Sequence, residues 1–306
     1  MMAAQKTAGS GVLKPNEPMR KHTSWRTGGQ AHAFYIPSSL EDLIDFMRSL
    51  PAHESIRMIG LGSNLLVRDG GLPGTTICLH NALNELEFLP ETQLVYAQAG
   101  VASPKVARFS ARLGLERGEF LAGIPGTIGG ALAMNAGCYG METWQVVNKV
   151  LTINREGELH ERWPREYEIA YRHLRLREAT SEEWFVGAWF SFSKGSAAAA
   201  QNKIKDLLTR RIAAQPLNQP NAGSVFRNPP GDYAARLIEA AGLKGRCLGG
   251  AMVSTKHANF IVNTGHASAA DIENLIGVVQ REVSKQFAMD LVPEVRIIGA
   301  AKDGPA

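Results

Sequence analysis

Apolar residues recur every three or four positions in several segments, which is the spacing of one face of an α-helix. In residues 36–50 this face is preceded by Ser39, and Asp42 follows three positions later, as in an N-terminal capping pair. Other segments share such an apolar stripe, and we predict further helices over residues 103–114, 197–215, 231–242 and 268–289.

The ends of these predicted helices carry residues that commonly cap helices. We expect Ser103, Asp232 and Ser268 to cap the N-termini of the second, fourth and fifth helices, the last with Asp271 as its partner. Gly114 is the predicted stop of the second helix, because glycine adopts the left-handed conformation at a helix end.

Short apolar runs separated by glycine turns predict the strands. They cover residues 57–71 (strand, turn, strand), 75–80, 93–100, 149–162 (a hairpin), 258–263 and 292–299. Strands and helices do not alternate regularly over the first two hundred residues, which favours an α+β fold over a doubly wound sheet. The composition changes at residues 191–203, where we predict a domain boundary.

Composition narrows the class of protein. The chain has 306 residues, 44% hydrophobic and 20% charged, with a net charge of +4, so a large core is expected. No basic run suggests nucleic-acid binding, and no secretory signal or membrane-length apolar run is present. We therefore predict a soluble, cytoplasmic protein. Cys78, Cys138 and Cys247 are too few and too scattered for a disulfide framework or a zinc site, and we expect small buried thiols.

Glycines cluster in two stretches, residues 59–67 and 123–140. Glycine-rich turns present backbone N–H groups to anions, so two such loops could hold a pyrophosphate, although tight structural turns explain them equally well. Neither stretch contains the P-loop motif or the Rossmann dinucleotide motif.

The longer motifs carry a family resemblance. They occur in this order: TSWRTGGQA (23–31), GLGSNLLV (60–67), FLAGIPGTIGGALAMNAGCYG (120–140), YR (171–172), AGSVFRNP (222–229), KHANFIVN (256–263) and PEVR (293–296). From about residue 20 onward the chain strongly resembles the UDP-N-acetylenolpyruvoylglucosamine reductase family, in its shorter form.

The resemblance implies a fold and a domain plan. The fold would be an FAD-binding region of the vanillyl-alcohol-oxidase type, with two α+β subdomains, followed by a C-terminal α+β domain that binds the substrate. After a flexible segment 1–20, the FAD-binding domain would cover 21–195, divided into subdomains of about 21–80 and 81–195. The C-terminal domain would cover 196–306.

The resemblance also implies the cofactors. FAD would be the bound flavin and NADPH the reductant, and the UDP-sugar the substrate. The residues expected to contact FAD lie in the two glycine loops: Gly60, Gly62, Ser63, Asn64, Leu65, Gly123, Pro125, Gly126, Thr127, Gly130 and Ala131.

In the family reaction a hydride reaches the enolpyruvyl double bond and negative charge builds on the adjoining carboxylate. Arg172 matches the arginine at that carboxylate, Glu294 matches a glutamate that stabilises the enolate, and Ser224 matches the serine that protonates it. From the residues alone, Arg172 could be a surface arginine, Ser224 a turn residue and Glu294 a solvent-facing strand residue. Leu174 stands where a serine is common in the family.

Further expectations concern the substrate. Residues expected near the UDP-sugar are Tyr171, Arg211, Gln215, Asn228, Lys256, His257 and Asn259. The chain is expected to act as a monomer without metal, nucleic acid or membrane. Two alternatives are a flavin oxidase, although His22, His32 and His53 lie outside a matching loop for covalent flavin attachment, and a non-catalytic flavin- or UDP-sugar-binding protein.

Overall fold

A computed structural model describes residues 5–6, 11–178 and 182–302. The helices are α1 (Leu40–Ser49), α2 (Ser103–Arg112), α3 (Ile128–Ala133), α4 (Ala197–Ala214), α5 (Ala234–Ala240) and α6 (Ala269–Phe287). Short 3₁₀ helices span Met19–Lys21, Glu119–Gly123, Thr143–Gln145 and Pro164–Glu166.

The strands are mostly short. They are β1 (Gln5–Lys6), β2 (Val12–Pro18), β3 (Gln30–Ile36), β4 (Ile56–Ile59), β5 (Leu65–Val67), β6 (Leu72–Cys78), β7 (Leu86–Leu89), β8 (Leu94–Gln98), β9 (Leu115–Glu116), β10 (Gly137–Cys138), β11 (Met141–Glu142), β12 (Val147–Asn154), β13 (Leu159–Arg162), β14 (Tyr167–Ala170), β15 (His173–Leu176), β16 (Glu183–Ser191), β17 (Ser193–Lys194), β18 (Cys247–Leu248), β19 (Ala251–Val253), β20 (Ile261–Asn263) and β21 (Arg296–Ile298).

The chain forms two compact units, and each is built from three stretches of sequence. Unit 1 comprises Met1–Pro15, Phe34–Leu61 and Thr75–Arg211. Unit 2 comprises Asn16–Ala33, Gly62–Gly74 and Ile212–Ala306. The predicted domain boundaries remain a prediction. Helix α4 belongs to unit 1 as far as Arg211, and part of the segment 1–20 forms β2, while residues 1–4 and 7–10 of that segment lie outside the described residues.

Unit 1 is organised by an antiparallel five-stranded sheet of order β13-β12-β16-β8-β7. A second sheet has the order β1-β2-β3-β6-β4, in which β4 and β6 run parallel, with Ile56 opposite Thr75. Val106 of α2, Leu132 of α3 and Ile204 of α4 are buried in one core with residues of the antiparallel sheet. This core supports the loop that leads into α3.

Unit 2 places α5 and α6 on the small sheet β18-β19-β20, and β21 pairs in parallel with β5. Trp25 is fully buried in this core, and its indole N–H donates to the carbonyl of Ile261 at 2.8 Å. The Asp69 carboxylate accepts the N–H groups of Ala269 and Ala270, both at 3.0 Å, at the start of α6. A carboxylate at that position is favourable because the first-turn N–H groups carry partial positive charge.

Most predicted elements are confirmed. Ser39 caps α1 by accepting the Asp42 N–H, and Ser268 with Asp271 forms a reciprocal capping box on α6. The predicted hairpin is β12–β13, and all five predicted helices form with shifted ends.

Three local predictions are wrong. Helix α2 is capped by the backbone of Ala102, which pairs with Thr127, so Ser103 is already inside the helix. Asp232 instead pairs with Arg236, and the Asn228 carboxamide oxygen accepts the Ala234 N–H of α5 at 3.2 Å. The last strand is shorter than expected: within 292–299, β21 covers Arg296–Ile298, and Pro293 forms only an isolated bridge to Phe226.

Cys78 is buried and Cys138 half-buried, but Cys247 is exposed, so the expectation of a buried thiol is wrong for Cys247. Among the residues that the structure describes, no helix is both long and apolar enough to cross a bilayer.

Candidate active site

The two glycine loops are in close contact at Gly60, which follows β4 in unit 1. A Cβ on Gly60 would lie 2.2 Å from the hydroxyl oxygen of Thr127, so only glycine fits at this position. Thr127 is itself buried and is the N-cap of α3. The backbone that follows β4 therefore packs against the Thr127 side chain at the start of α3.

The start of α3 is fixed by carbonyls of the turn that follows β8. The N–H groups of Ile128 and Gly129 donate to Val101 O at 2.8 Å and Ala99 O at 2.9 Å. These two amides are thus engaged within the protein, and they are not free to bind an anion. Pro125 in the loop and Gly130 in α3 are exposed, and the nearest atom to a Cβ on Gly130, apart from the helix's own backbone, would be 3.9 Å away. Gly130 therefore presents an open backbone surface near the start of α3.

The hairpin β10–β11 covers the other end of the same loop. A Cβ on Gly123 would lie 2.6 Å from the Cys138 sulfur and 2.7 Å from the Tyr139 ring. The Tyr139 hydroxyl donates to Leu207 O of α4 at 2.7 Å, and burial raises the pKa of Tyr139 to about 12. Burial also raises the pKa of the Cys138 thiol, against the opposing charges of Arg211 and Arg172. Both groups therefore remain protonated near neutral pH.

Arg172 occupies a two-residue turn between β14 and β15. Its φ of +53° is in the left-handed region, which a non-glycine residue adopts only when its surroundings hold it there. Nη1 donates to Asn135 O at 3.3 Å and Nη2 donates to Gly137 O at 3.2 Å, while the guanidinium lies 4.8 Å from the Tyr171 ring centroid. The guanidinium is thus oriented by the β10 segment.

Ser224 precedes a clamped stretch of backbone in unit 2. The Val225 N–H donates to Asn259 O at 2.9 Å, and the Val225 carbonyl accepts the Glu294 N–H at 2.7 Å. The buried Asn259 carboxamide donates to Phe226 O at 2.8 Å and accepts the Phe226 N–H at 2.9 Å. The half-buried Ser224 therefore directly precedes a residue whose backbone is bonded to Asn259 and to Glu294.

The interpretation of Ser224 as a turn residue also has support. Gly223 has a φ of +77°, and its N–H donates to the Asn221 side-chain oxygen at 2.9 Å, which is an Asx turn. Ser224 follows this turn, so a turn position and a chemical role are compatible.

Glu294 lies just outside β21, between the serine segment and the first glycine loop. The Asn64 amide donates to Glu294 O at 3.1 Å, and Arg296 N–H donates to Asn64 O at 2.9 Å. The parallel register places Arg296 opposite Leu65. The half-buried Glu294 is not a strand residue, as the sequence suggested, but is held by hydrogen bonds from two directions.

Comparison with known proteins decides the family. Residues 31–162 match the family model described as an FAD binding domain, and residues 215–298 match the one described as the UDP-N-acetylenolpyruvoylglucosamine reductase C-terminal domain. The UDP-N-acetylenolpyruvoylglucosamine reductase of Thiobacillus denitrificans is 58% identical over 296 residues, covering 93% of this chain and 91% of the relative. That of Legionella pneumophila (strain Corby) is 51% identical over 302 residues, covering 98% and 97%.

A solved structure agrees over almost the whole chain. The crystal structure of the reductase from Thermus caldophilus has a TM-score of 0.78 and 29% identity, covering 92% of this chain and 97% of that one. The chain belongs to the UDP-N-acetylenolpyruvoylglucosamine reductase family. Its fold is the vanillyl-alcohol-oxidase type of FAD-binding fold with a C-terminal α+β domain, as predicted.

The activity follows from the family. This reductase converts the enolpyruvyl UDP-sugar to UDP-N-acetylmuramate for peptidoglycan synthesis, with FAD as cofactor and NADPH as reductant. The chain fits FAD because a side chain at Gly60 or Gly123 would clash with neighbouring atoms, so the backbone there stays bare. Pro125 and Gly130 leave an exposed backbone surface beside it. When bound, FAD supplies the hydride-transfer chemistry.

The remaining residues expected to contact FAD differ in burial and in backbone geometry. Gly62 is buried with a φ of +62°, and a Cβ there would lie 2.0 Å from His22 O. Ser63 and Leu65 are half-buried, whereas Gly126 and Ala131 are buried. The Ala131 N–H donates to Thr127 O at 2.9 Å, so Ala131 offers no backbone donor.

Among the residues expected at the substrate, several have structural partners. Asn228 caps α5, and the Lys256 ammonium donates to Ile212 O at 2.6 Å. His257 Nδ1 accepts the Asn259 N–H at 3.3 Å, and burial lowers the pKa of His257, so its ring is neutral. Both ends of the Asn259 carboxamide are used by Phe226, so Asn259 positions the serine segment.

The other candidates differ in exposure. Tyr171 is exposed, and Arg211 and Gln215 are half-buried at the C-terminal end of α4. Sequence reasoning missed one residue, Asn135, although it stands in the quoted motif MNAGCYG. An asparagine followed by Ala-Gly is a signal for a left-handed turn, and Asn135 has a φ of +39°.

Proposed function

We propose that Arg172, Ser224 and Glu294 divide the work on the enolpyruvyl group of the substrate. Arg172 binds the carboxylate, where a planar guanidinium can hold two oxygens and offset the charge that builds there. Support comes from its orientation by Asn135 O and Gly137 O.

Ser224 donates the proton to the carbon that bears the carboxylate, after hydride has been added to the terminal carbon. The observation that carries this assignment is the 2.7 Å bond from the Glu294 N–H to Val225 O, which fixes the residue after Ser224 to Glu294. A serine hydroxyl is a weak acid, so its transient alkoxide needs nearby stabilising groups. Glu294 stabilises the enolate and supports this proton transfer.

The glycine loops hold FAD, with Gly60, Gly62, Ser63, Asn64 and Leu65 from the first loop. The second loop contributes Gly123, Pro125, Gly126, Thr127 and Gly130, while Ala131 supports the loop from the core. The UDP-sugar is held by basic and polar side chains that suit its diphosphate, namely Tyr171, Arg211, Gln215, Lys256 and His257.

The protein acts as a monomer in the cytoplasm, where NADPH and nucleotide sugars are available. Analytical ultracentrifugation of the FAD-loaded protein tests the monomeric state, and a dimer at micromolar concentration would overturn it. Subcellular fractionation tests the location.

The catalytic roles are tested with Glu294→Gln in anaerobic half-reactions. We expect flavin reduction by NADPH to proceed as in the wild type and reoxidation by the UDP substrate to slow by about 10²-fold or more. Glu273→Gln is the matched control, because Glu273 is in the same unit and pairs with Arg68 at the surface. An equal loss in both half-reactions of Glu294→Gln would contradict its role.

A further inference from the structure

Asn135 connects three segments of unit 1 around Arg172. It is fully buried, follows the C-cap residue of α3, and has a φ of +39°, a conformation that asparagine tolerates better than most residues. Its N–H donates to Leu132 O of α3 at 3.1 Å, and its own carbonyl accepts Arg172 Nη1 at 3.3 Å. The Asn135 backbone thus links the helix after the second glycine loop to the guanidinium.

The Asn135 side chain is engaged at both ends. Nδ2 donates to Glu142 Oε2 at 2.8 Å and to Ala170 O at 3.1 Å, and Oδ1 accepts the Trp144 N–H at 3.2 Å. Ala170 is the residue before the Tyr171–Arg172 turn, so one carboxamide ties the base of this turn to the β11 segment. A buried amide with all these partners is costly to disturb, because each partner would lose its hydrogen bond away from water.

The Arg172 turn needs such support. Arg172 has left-handed backbone, and its guanidinium must stay within a fraction of an ångström of its place to hold a carboxylate in reactive geometry. Asn135 contacts the turn at its base, through Ala170 O, and at its tip, through the guanidinium.

We propose that Asn135 is a positioning residue for the second half-reaction, which holds the Arg172 turn in the geometry that binds the substrate carboxylate. This inference rests on the role proposed for Arg172. It concerns orientation only, since Asn135 is fully buried and its side chain is hydrogen-bonded within the protein.

The test is Asn135→Asp, which keeps the shape and the acceptor for Trp144 N–H. It removes the donor to Ala170 O and places a carboxylate against Glu142. We expect reoxidation of the reduced flavin by the UDP substrate to slow by about 10- to 100-fold, with reduction by NADPH unchanged. Asn154→Asp is the matched control, because Asn154 is buried in unit 1 and donates to Glu158 at 2.9 Å.

A double variant separates positioning from general destabilisation. Asn135→Asp with Glu142→Gln removes the charge repulsion, so stability should recover, but Ala170 O still lacks its donor. We expect the reoxidation defect to persist while the urea midpoint returns toward the wild type. Recovery of both together would overturn the proposal, as would a normal reoxidation rate in Asn135→Asp.

Combination with Arg172→Ala distinguishes failure of this inference from failure of the proposed function. If Asn135 acts through Arg172, adding Asn135→Asp to Arg172→Ala slows reoxidation no further. Additive effects of the two changes would overturn the positioning role alone. A normal reoxidation rate in Arg172→Ala itself would overturn the carboxylate role of Arg172.

Discussion

The hydrogen bonds between Asn259 and Phe226, two residues after Ser224, lead to a quantitative prediction for Asn259→Ala. The substitution removes the carboxamide that donates to Phe226 O and accepts the Phe226 N–H, at 2.8 and 2.9 Å. Both residues are almost completely buried, at 3% and 2% exposure. Phe226 is then left with an unpaired N–H and an unpaired carbonyl in the core.

The magnitude follows from the two unpaired groups. Leaving one buried donor or acceptor without a partner costs about 1–3 kcal/mol, so we expect the free energy of unfolding to fall by about 2–6 kcal/mol. The Val225–Glu294 bond persists, but the register of Ser224 is no longer fixed from the Asn259 side. A misplacement of about 1 Å at a reacting group can slow a reaction by about 10²-fold.

The assay combines urea unfolding with anaerobic half-reactions at a temperature where the variant is folded. Asn263→Ala is the matched control, because the Asn263 carboxamide is also buried in unit 2 and bridges Trp25 O, Gly265 N–H and Ala267 N–H. We expect both variants to lose stability, and only Asn259→Ala to slow reoxidation by the substrate. Equal reoxidation rates in the two folded variants would refute the proposal that Asn259 positions Ser224.

Further predictions concern the flavin loops and pH. Gly60→Ala should lower the FAD content measured at the flavin absorption band, because its Cβ would meet Thr127 at 2.2 Å. Gly130→Ala should fold normally, because the nearest atom apart from the helix's own backbone would lie 3.9 Å from the new methyl, yet it should bind FAD more weakly because FAD is proposed to lie on this surface; normal FAD affinity would contradict that contact. Burial lowers the pKa of His257 below its ordinary value of 6.5, so the unfolded chain takes up the proton first. Stability should therefore fall as pH drops below 6.5 toward the folded pKa, and His257→Gln should show a smaller fall in urea midpoint between pH 7.5 and 5.5. An identical fall in both proteins would contradict this.

Local signals in the sequence predicted what local forces determine. The capping box of Ser268 and Asp271 needs only residues three apart, and it forms as expected. The caps of α2 and α5 were mispredicted because Ala102 pairs with Thr127 and Asn228 reaches Ala234, and neither partner is visible from the helix sequence alone.

In the candidate site, too, sequence motifs select some residues, and the structure alone reveals the roles of others. Motif order was sufficient to identify the family and to select Arg172, Ser224 and Glu294. The roles of Asn135 and Asn259 depend on hydrogen bonds to backbone groups more than thirty residues away, which no periodicity or spacing reveals. The role of a buried amide of this kind becomes apparent only when the positions of its hydrogen-bond partners are known.

The most direct test of the central claim is an anaerobic stopped-flow trace of Ser224→Ala at the flavin absorption band. The protein is reduced with NADPH and then mixed with the UDP-N-acetylenolpyruvoylglucosamine substrate. The account predicts normal bleaching, followed by reoxidation that is slower than in the wild type by about 10²- to 10⁴-fold. Reoxidation at the wild-type rate, or loss of bleaching by NADPH, would contradict the role of Ser224 as the proton donor.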